Sequence, residues 1–383
     1  MKKLTAFILA LVMLCACLTG CSGGSEEDTV MTVNGTAVSY DEYMVWLGQA
    51  VSELTDLYKS YSGTAVDWDG KFMFDDDMTN IEWCLKRATQ SVTRLHAMES
   101  KAKELGVTVT DDDKQAVEDE IAQLKKNYAA DGDSAAFFAS YNYTEESYTQ
   151  QRTLNYLYNE LFNNLYGEKG EKLSEDKVLA YADENGYITS AHILFRTSED
   201  VTGDDGTTTS QELSDAQKAE KKAKAEQLSK ELKAIDDNEK RWERFQELMN
   251  EYSEDPGKES FPNGYCFTSG TMVEEYDTAS RELEEYEVSD VVESQHGYHV
   301  IMRLPTKSTD LVTYINSSYQ QQTVPLSYIA APSDYDSQIA DWASSATVKT
   351  TKLYDSIDFS KAITSDGFKF IPYSEYKADQ SKK

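Results

Sequence analysis

Residues 294–302 read Ser-Gln-His-Gly-Tyr-His-Val-Ile-Met, and two of the chain's four histidines stand there in His-x-x-His spacing. On a helix that spacing would turn both rings to one side and invite a metal ion. Gly297 marks a turn instead, and Val300 and Ile301 are β-branched, so the backbone that follows reads as a strand, Tyr298 to Leu304, stopped by Pro305. Residues three apart on a strand point to opposite faces, so His296 and His299 need not converge. No glutamate follows His296, as the His-Glu-x-x-His zinc pattern requires, and the chain holds no Cys-x-x-Cys pair. No metal and no other cofactor is expected, and His296 is expected to be exposed.

A second strand with a histidine lies upstream. Ile188-Thr-Ser-Ala-His-Ile-Leu-Phe195 is rich in β-branched and aromatic residues. Between the two strands the pattern gives a helix over about 214–235 on a narrow Leu228, Leu232, Ile235 stripe. A second helix follows, with Trp242, Phe245, Leu248, Met249 and Tyr252. Asp255-Pro-Gly257 ends that helix. Residues 262–272 read as loop and short strand. A helix with Tyr276, Ala279 and Leu283 comes next, then an extended Val288 to Val292. The order is β-α-α-β-α-β-β. The acidic stretch Glu199–Ser210 offers Asp205-Gly206 and Glu212 at calcium-loop offsets, but Val201 and Gly203 fill two ligand positions, so it reads as a surface loop.

Within that order, Ser190-Ala-His-Ile-Leu194, Tyr252-Ser-Glu-Asp-Pro256, Phe267-Thr-Ser-Gly-Thr-Met272, and Ser289 through Gly297-Tyr-His-Val-Ile301 resemble the successive motifs of the parvulin family of peptidyl-prolyl cis/trans isomerases. The resemblance covers about residues 187–304. It implies catalytic roles for His192, Asp255 and His299. His192 and His299 would be the paired histidines of the central strands, and Asp255 the acid beside the substrate amide. It implies an apolar wall for the proline ring at Met272 and Tyr276, with Phe267 close by, and a polar position at Ser294. The chain departs from the family before Phe267: Phe261-Pro-Asn-Gly-Tyr-Cys266 stands where a Gly-Gly-Asp-Leu-Gly-like run is usual, so one apolar pocket residue is missing near Gly264.

The chain's first residues carry a different signal. Lys2 and Lys3, an apolar run to Cys17, and Leu18-Thr-Gly-Cys21 describe a secretory signal. The cysteine after small residues resembles a bacterial lipobox, which implies a lipidated Cys21. Ordinary signal cleavage is the alternative. Ser22-Gly-Gly-Ser25 reads as a tether. Cys15 and Cys17 would leave with the signal. Pairing of Cys84 with Cys266 is left open. Formal net charge is −31, and about −33 without the first twenty residues, which repels nucleic acid and disfavours headgroup binding through basic patches. Anchoring would fall to the lipid.

Residues 29–38 form a short β-rich run with an Asn34-Gly35 turn. Ser39 reads as an N-cap, with Glu42 completing a capping box. Helices are expected near 80–105 (with His96 on its flank), 111–128, 145–166, and after Ser174. Residues 311–370 are expected to return to this helical region, and 377–383 to be disordered.

The expected fold class is α+β. A parvulin domain, a small antiparallel sheet with surrounding helices, is joined to a mainly α-helical chaperone-like domain. The expected order is signal 1–20, lipidated tether 21–28, helical region 29–186, isomerase 187–306 and C-terminal segment 307–383. Together with the lipobox, this is similar to the extracytoplasmic foldase lipoproteins of the PrsA type. The resemblance implies a membrane-anchored proline isomerase on the extracytoplasmic face of a bacterial membrane. Its partners would be unfolded or partly folded exported proteins with X–Pro bonds. A non-catalytic holdase on the same scaffold is the alternative, and a lipoprotein binding a small ligand is the third.

Overall fold

The computed structural model describes residues 27–128, 134–202, 206–315, 319–364 and 367–381. The expected signal, Cys21 and most of the tether lie outside the described residues. The fold is α+β, and the chain divides into two compact units, residues 1–164 with 335–383, and residues 165–334. Among the described residues no helix is long and apolar enough to cross a membrane.

In the first unit, strands Thr29–Val33, Thr36–Ser39 and Val348–Thr350 form one antiparallel sheet. The Asn34-Gly35 turn joins the first two, and both residues have positive φ, as a tight hairpin demands. Helices Tyr40–Tyr61 and Asn80–Leu105 pack on this sheet. Val30, Met31, Tyr43, Leu47 and Leu54 meet Cys84, Ala88, Val92 and the C-terminal Phe359 and Phe370. Ser39 caps its helix as read, accepting from Glu42 N at 3.2 Å. Glu42 does not close the box; its carboxylate turns inward to His96. His96 is thus buried, at 1 % exposure, rather than flanking its helix. Helix Tyr373–Gln380 runs into residues 377–380, where disorder was expected, and Lys377 pairs with Glu27 at 2.5 Å.

The second unit is built on a six-stranded sheet. Its order is Gln321–Pro325, Leu311–Ile315, Tyr265–Phe267, Ile188–Arg196, Gly297–Leu304 and Val292–Ser294. The two histidine strands are antiparallel neighbours, with Ile301 opposite His192 and His299 opposite Leu194. Period-two alternation sorts their side chains. Ala191, Ile193, Phe195, Val300 and Met302 pack on helices Asp215–Lys233 and Asn238–Tyr252 through Leu228, Leu232, Phe245 and Leu248. On the other face Ile188 and Ile301 lie under helix Glu274–Glu282 with Phe267 and Tyr276.

Two features differ from the sequence reading. Ser198–Thr202 and Thr208–Glu212 pair as exposed antiparallel strands where a surface loop was expected. Residues 311–325 continue the sheet past residue 306 instead of returning to the helical region. Val312 pairs in parallel with Cys266, which covers the edge that Tyr265–Phe267 would otherwise expose.

Gly297 has φ +138°, and a Cβ there would meet the Phe195 carbonyl oxygen at 2.1 Å. Gly297→Ala is therefore expected to destabilise the chain by about 2 kcal/mol. The check is the urea midpoint by circular dichroism; an unchanged midpoint would show that the turn relaxes freely.

Candidate functional site

The site forms where the two histidine strands meet the loop after helix Asn238–Tyr252. That loop is pinned to the strand edge: Glu254 N donates to Leu194 O at 2.8 Å, and Leu194 N donates to Ser253 Oγ at 3.1 Å. Asp255 then closes an Asx-type turn, its Oδ1 accepting from Gly257 N at 3.0 Å. This aims Oδ2 at the sheet, 3.0 Å from His192 Nε2 and 2.6 Å from the Tyr265 hydroxyl.

His192 and His299 are diagonal neighbours on one face of adjacent strands, a separation that long side chains span. Their Nδ1 atoms are 2.9 Å apart, and the rings stack at 5.1 Å with 14° between planes. The Ser294 hydroxyl lies 2.7 Å from His299 Nε2. The four side chains form one line, Ser294–His299–His192–Asp255. With both rings neutral and the carboxylate ionised, the line has a single polarity. Ser294 donates to His299, His299 Nδ1–H to His192, and His192 Nε2–H to Asp255.

The electrostatics fit that polarity. Burial pushes the His299 pKa down to about 3, and the repulsion that protonated His192 or His296 would exert adds to it, so this ring stays neutral. Burial alone would raise Asp255, but hydrogen bonds from His192 and Tyr265 outweigh it and hold the carboxyl at about 2. Burial and the adjacent carboxylate raise the Tyr265 phenol, which therefore remains a donor.

An aromatic layer closes the face. The Tyr276 ring stands edge-on to His192 at 5.1 Å and to His299 at 5.7 Å. Its hydroxyl is 2.8 Å from Ser190 Oγ, which in turn is 3.1 Å from Ser280 Oγ. Tyr276 is only 3 % exposed and Phe267 only 2 %, so both sit beneath the surface, and half-buried Met272 is the one of the three that reaches it. The loop carrying Met272 is held by Asp277, which accepts from Gly270 N at 2.9 Å and pairs with Arg281 at 2.6 Å.

All seven residues singled out from sequence in this region, His192, Asp255, Phe267, Met272, Tyr276, Ser294 and His299, thus gather on one face. His296 stands apart and exposed in the turn. Cys266 is a buried free thiol that burial pushes up to about 12, which leaves no thiolate nucleophile near neutral pH. Cys84 is likewise free and buried. Tyr265 was missed. It stands two residues from Phe267 on the same strand, and period-two alternation alone puts it on the histidine face. Gly264 is explained by backbone rather than by a lost pocket residue: at φ +89° its Cβ would meet Ser190 O at 2.6 Å.

Residues 192–304 match the family model of the rotamase PPIC-type PPIase domain. The foldase protein PrsA 1 of Bacillus cereus is 48 % identical over 58 residues, 15 % of this chain and 20 % of that protein. Foldase protein PrsA of Oceanobacillus iheyensis is 31 % identical over 204 residues, 52 % of this chain and 55 % of the relative. That of Caldanaerobacter subterraneus is 25 % identical over 309 residues, 79 % of this chain and 82 % of the relative. The matches to the first two relatives span less than two thirds of those proteins' lengths. Residues 192–304 thus form a parvulin-type peptidyl-prolyl isomerase domain, and the chain is similar to foldase proteins of the PrsA type.

Proposed function

We propose that the chain is a membrane-anchored peptidyl-prolyl cis/trans isomerase that assists the folding of exported proteins. One observation carries the reading. The oriented line Ser294–His299–His192–Asp255 lies beside Met272, within the segment that matches the isomerase family. In this reading His192, Asp255 and His299 form the catalytic network, and Met272, backed by Phe267 and Tyr276, receives the proline ring.

The barrier to be lowered is about 18–20 kcal/mol and comes from amide resonance. The resonance form responsible puts negative charge on the carbonyl oxygen and positive charge on nitrogen. A carboxylate held ionised beside that oxygen disfavours the charge-separated form and so weakens the C–N double bond. Packing of the proline ring on Met272 desolvates the imide and strengthens the effect. No nucleophile is needed. His192 and Tyr265 fix the carboxylate in place, which spares reorganisation when the bond twists.

The test is the cis/trans exchange of Ala-X-Pro-Phe peptides, followed by NMR for several X. Acceleration that falls on Met272→Ala, by about tenfold, supports the pocket. A folded chain that accelerates no peptide yet suppresses client aggregation would leave the holdase reading in its place. The exposed, mutually packed aromatics Tyr61 and Phe74 in the first unit are the feature that favours this second reading.

The anchoring part of the proposal rests on the Leu18-Thr-Gly-Cys21 pattern. Mass spectrometry of the mature chain is expected to find a diacylglyceryl group on Cys21, and Cys21→Ser to release the protein from membranes. An unmodified Cys21 would sink it.

A further inference from the structure

A cavity of about 230 Å³ opens in the second unit, lined by Trp242, Phe261, Tyr286, Leu304, Pro305 and Asp310 among others. None of the proposed catalytic residues lines it, yet it lies one ring away from them. Phe261 stacks on Tyr265 with centroids 4.6 Å apart, and Tyr265 donates to Asp255. Three aromatic side chains in the wall would suit an apolar guest. Asp310 argues otherwise. It is half-buried, and its Oδ2 accepts from the Thr189 hydroxyl at 2.6 Å and from Lys307 N at 2.9 Å. Among the described residues no hydrogen bond reaches its Oδ1. Burial pushes its carboxyl above the usual carboxylate range, the expected effect where a charge has lost water without gaining a full counter-ion.

The surroundings carry both signs of charge, and the Lys307 ammonium, which favours the ionised carboxyl, outweighs Glu175, which opposes it. Glu175, bound to the Ser308 amide at 3.0 Å, contributes a second carboxylate at the Asp310 end. The one cation in the lining, Lys307, is exposed and acts on Asp310 through space, with no ion pair between the two among the described residues. A carboxylate with an unused oxygen at one end and Trp242, Tyr286 and Phe261 along the walls is the arrangement that holds a cationic side chain. The head group pairs with the acid while its stem and charge lie against ring faces. The volume suits one long side chain, and the net charge of −31 draws basic segments in.

We propose that this cavity receives an arginine or lysine side chain of a client polypeptide, in register with an X–Pro bond held at Asp255 and Met272. The cavity's preference for a cation stands on its own residues; the register rests on the isomerase reading above.

The binding test uses the full chain and the proline-free peptide acetyl-Gly-Ser-Arg-Ser-Gly-amide, with citrulline for arginine as the neutral control. The Trp242 indole N–H signal, assigned by its loss in Trp242→Phe, reports binding. The arginine peptide is expected to give a saturable shift and to bind about tenfold more tightly than the citrulline peptide. Asp310→Asn should erase that difference. Lys307→Ala should tighten arginine binding about twofold to threefold, a gain that a misfolded variant cannot mimic. Equal binding of the two peptides, indifference to Asp310→Asn, or no saturable shift would overturn the proposal.

The register test adds arginine at successive positions around Ala-Ala-Pro-Phe. One position is expected to raise kcat/KM for exchange about tenfold, and Asp310→Asn to remove the gain. Arginine binding without a preferred position would overturn the register. Exchange that is absent for every peptide counts against the isomerase reading alone, because the proline-free titration still decides the cation site.

Discussion

Replacing Asp255 with alanine is expected to lower kcat/KM for X–Pro exchange by about a hundredfold, the loss typical when a preorganised electrostatic group is removed from a dry site. The carboxylate is the only anionic member of the line Ser294–His299–His192–Asp255. It also sets the direction of the line. Without it, His192 Nε2–H and the Tyr265 hydroxyl lose their acceptor where the His192 side chain is only 12 % exposed. Unsatisfied donors of that kind cost about 1–3 kcal/mol each, so a fall in stability should accompany the fall in rate. Asp255→Asn separates the two effects. It keeps the shape and one acceptor oxygen but not the charge. If charge beside the imide oxygen lowers the barrier, the asparagine variant should be nearly as slow as alanine while unfolding closer to the parent. An asparagine variant with parental exchange rates would remove the electrostatic part of the mechanism and leave only desolvation by Met272.

The parts of this site that were legible in the sequence are those fixed by short-range rules. Alternation of β-branched residues around His192 and His299 marks two strands, and period two then puts both histidines on the face opposite Ile193 and Val300. Proline and glycine after Asp255 mark the turn that carries it. What was not legible depends on partners distant in sequence. Tyr265 acquires its role only because strand pairing sets it opposite Ser190 and beside Asp255. Gly264 looks like a lost pocket residue until the Ser190 carbonyl is seen against it. Residues 311–315 were expected to return to the helical region, yet Val312 finds an edge at Cys266. The paired strands Ser198–Thr202 and Thr208–Glu212 are exposed on both faces, so no buried side imposes an alternating pattern on them. Glu42 shows the limit most directly. Its spacing from Ser39 satisfies the local capping rule, but a partner 54 residues away wins the carboxylate.

That partner gives the second large expected effect. His96 lies between two carboxylates, Nε2 at 2.9 Å from Glu42 and Nδ1 at 2.8 Å from Glu99. Burial alone would lower its pKa, but the two acids outweigh burial and raise it to about 10. A histidine titrating near 6.5 when unfolded and near 10 when folded stabilises the fold while it is charged. The contribution is complete below about pH 6.5, shrinks as pH rises, and is gone once pH passes about 10. His96→Leu should destabilise the chain by about 3–5 kcal/mol at pH 6, because Glu42 is left buried without its counter-charge. The gap to the parent should narrow toward pH 10. The double variant Glu42→Leu with His96→Leu should recover much of the loss, since an apolar pair of similar volume removes both charges from the low-dielectric interior. Urea unfolding of the three proteins across pH 6 to 10 measures each term. A penalty for His96→Leu that stays constant over that range would mean that the ring is neutral and packs only by shape. His299 has the opposite sign: it is held neutral, with a pKa near 3, so its share of stability is present above about pH 6.5 and is lost as pH falls toward 3. Acid should therefore weaken the unit that holds the isomerase line, while base should weaken the unit that holds His96.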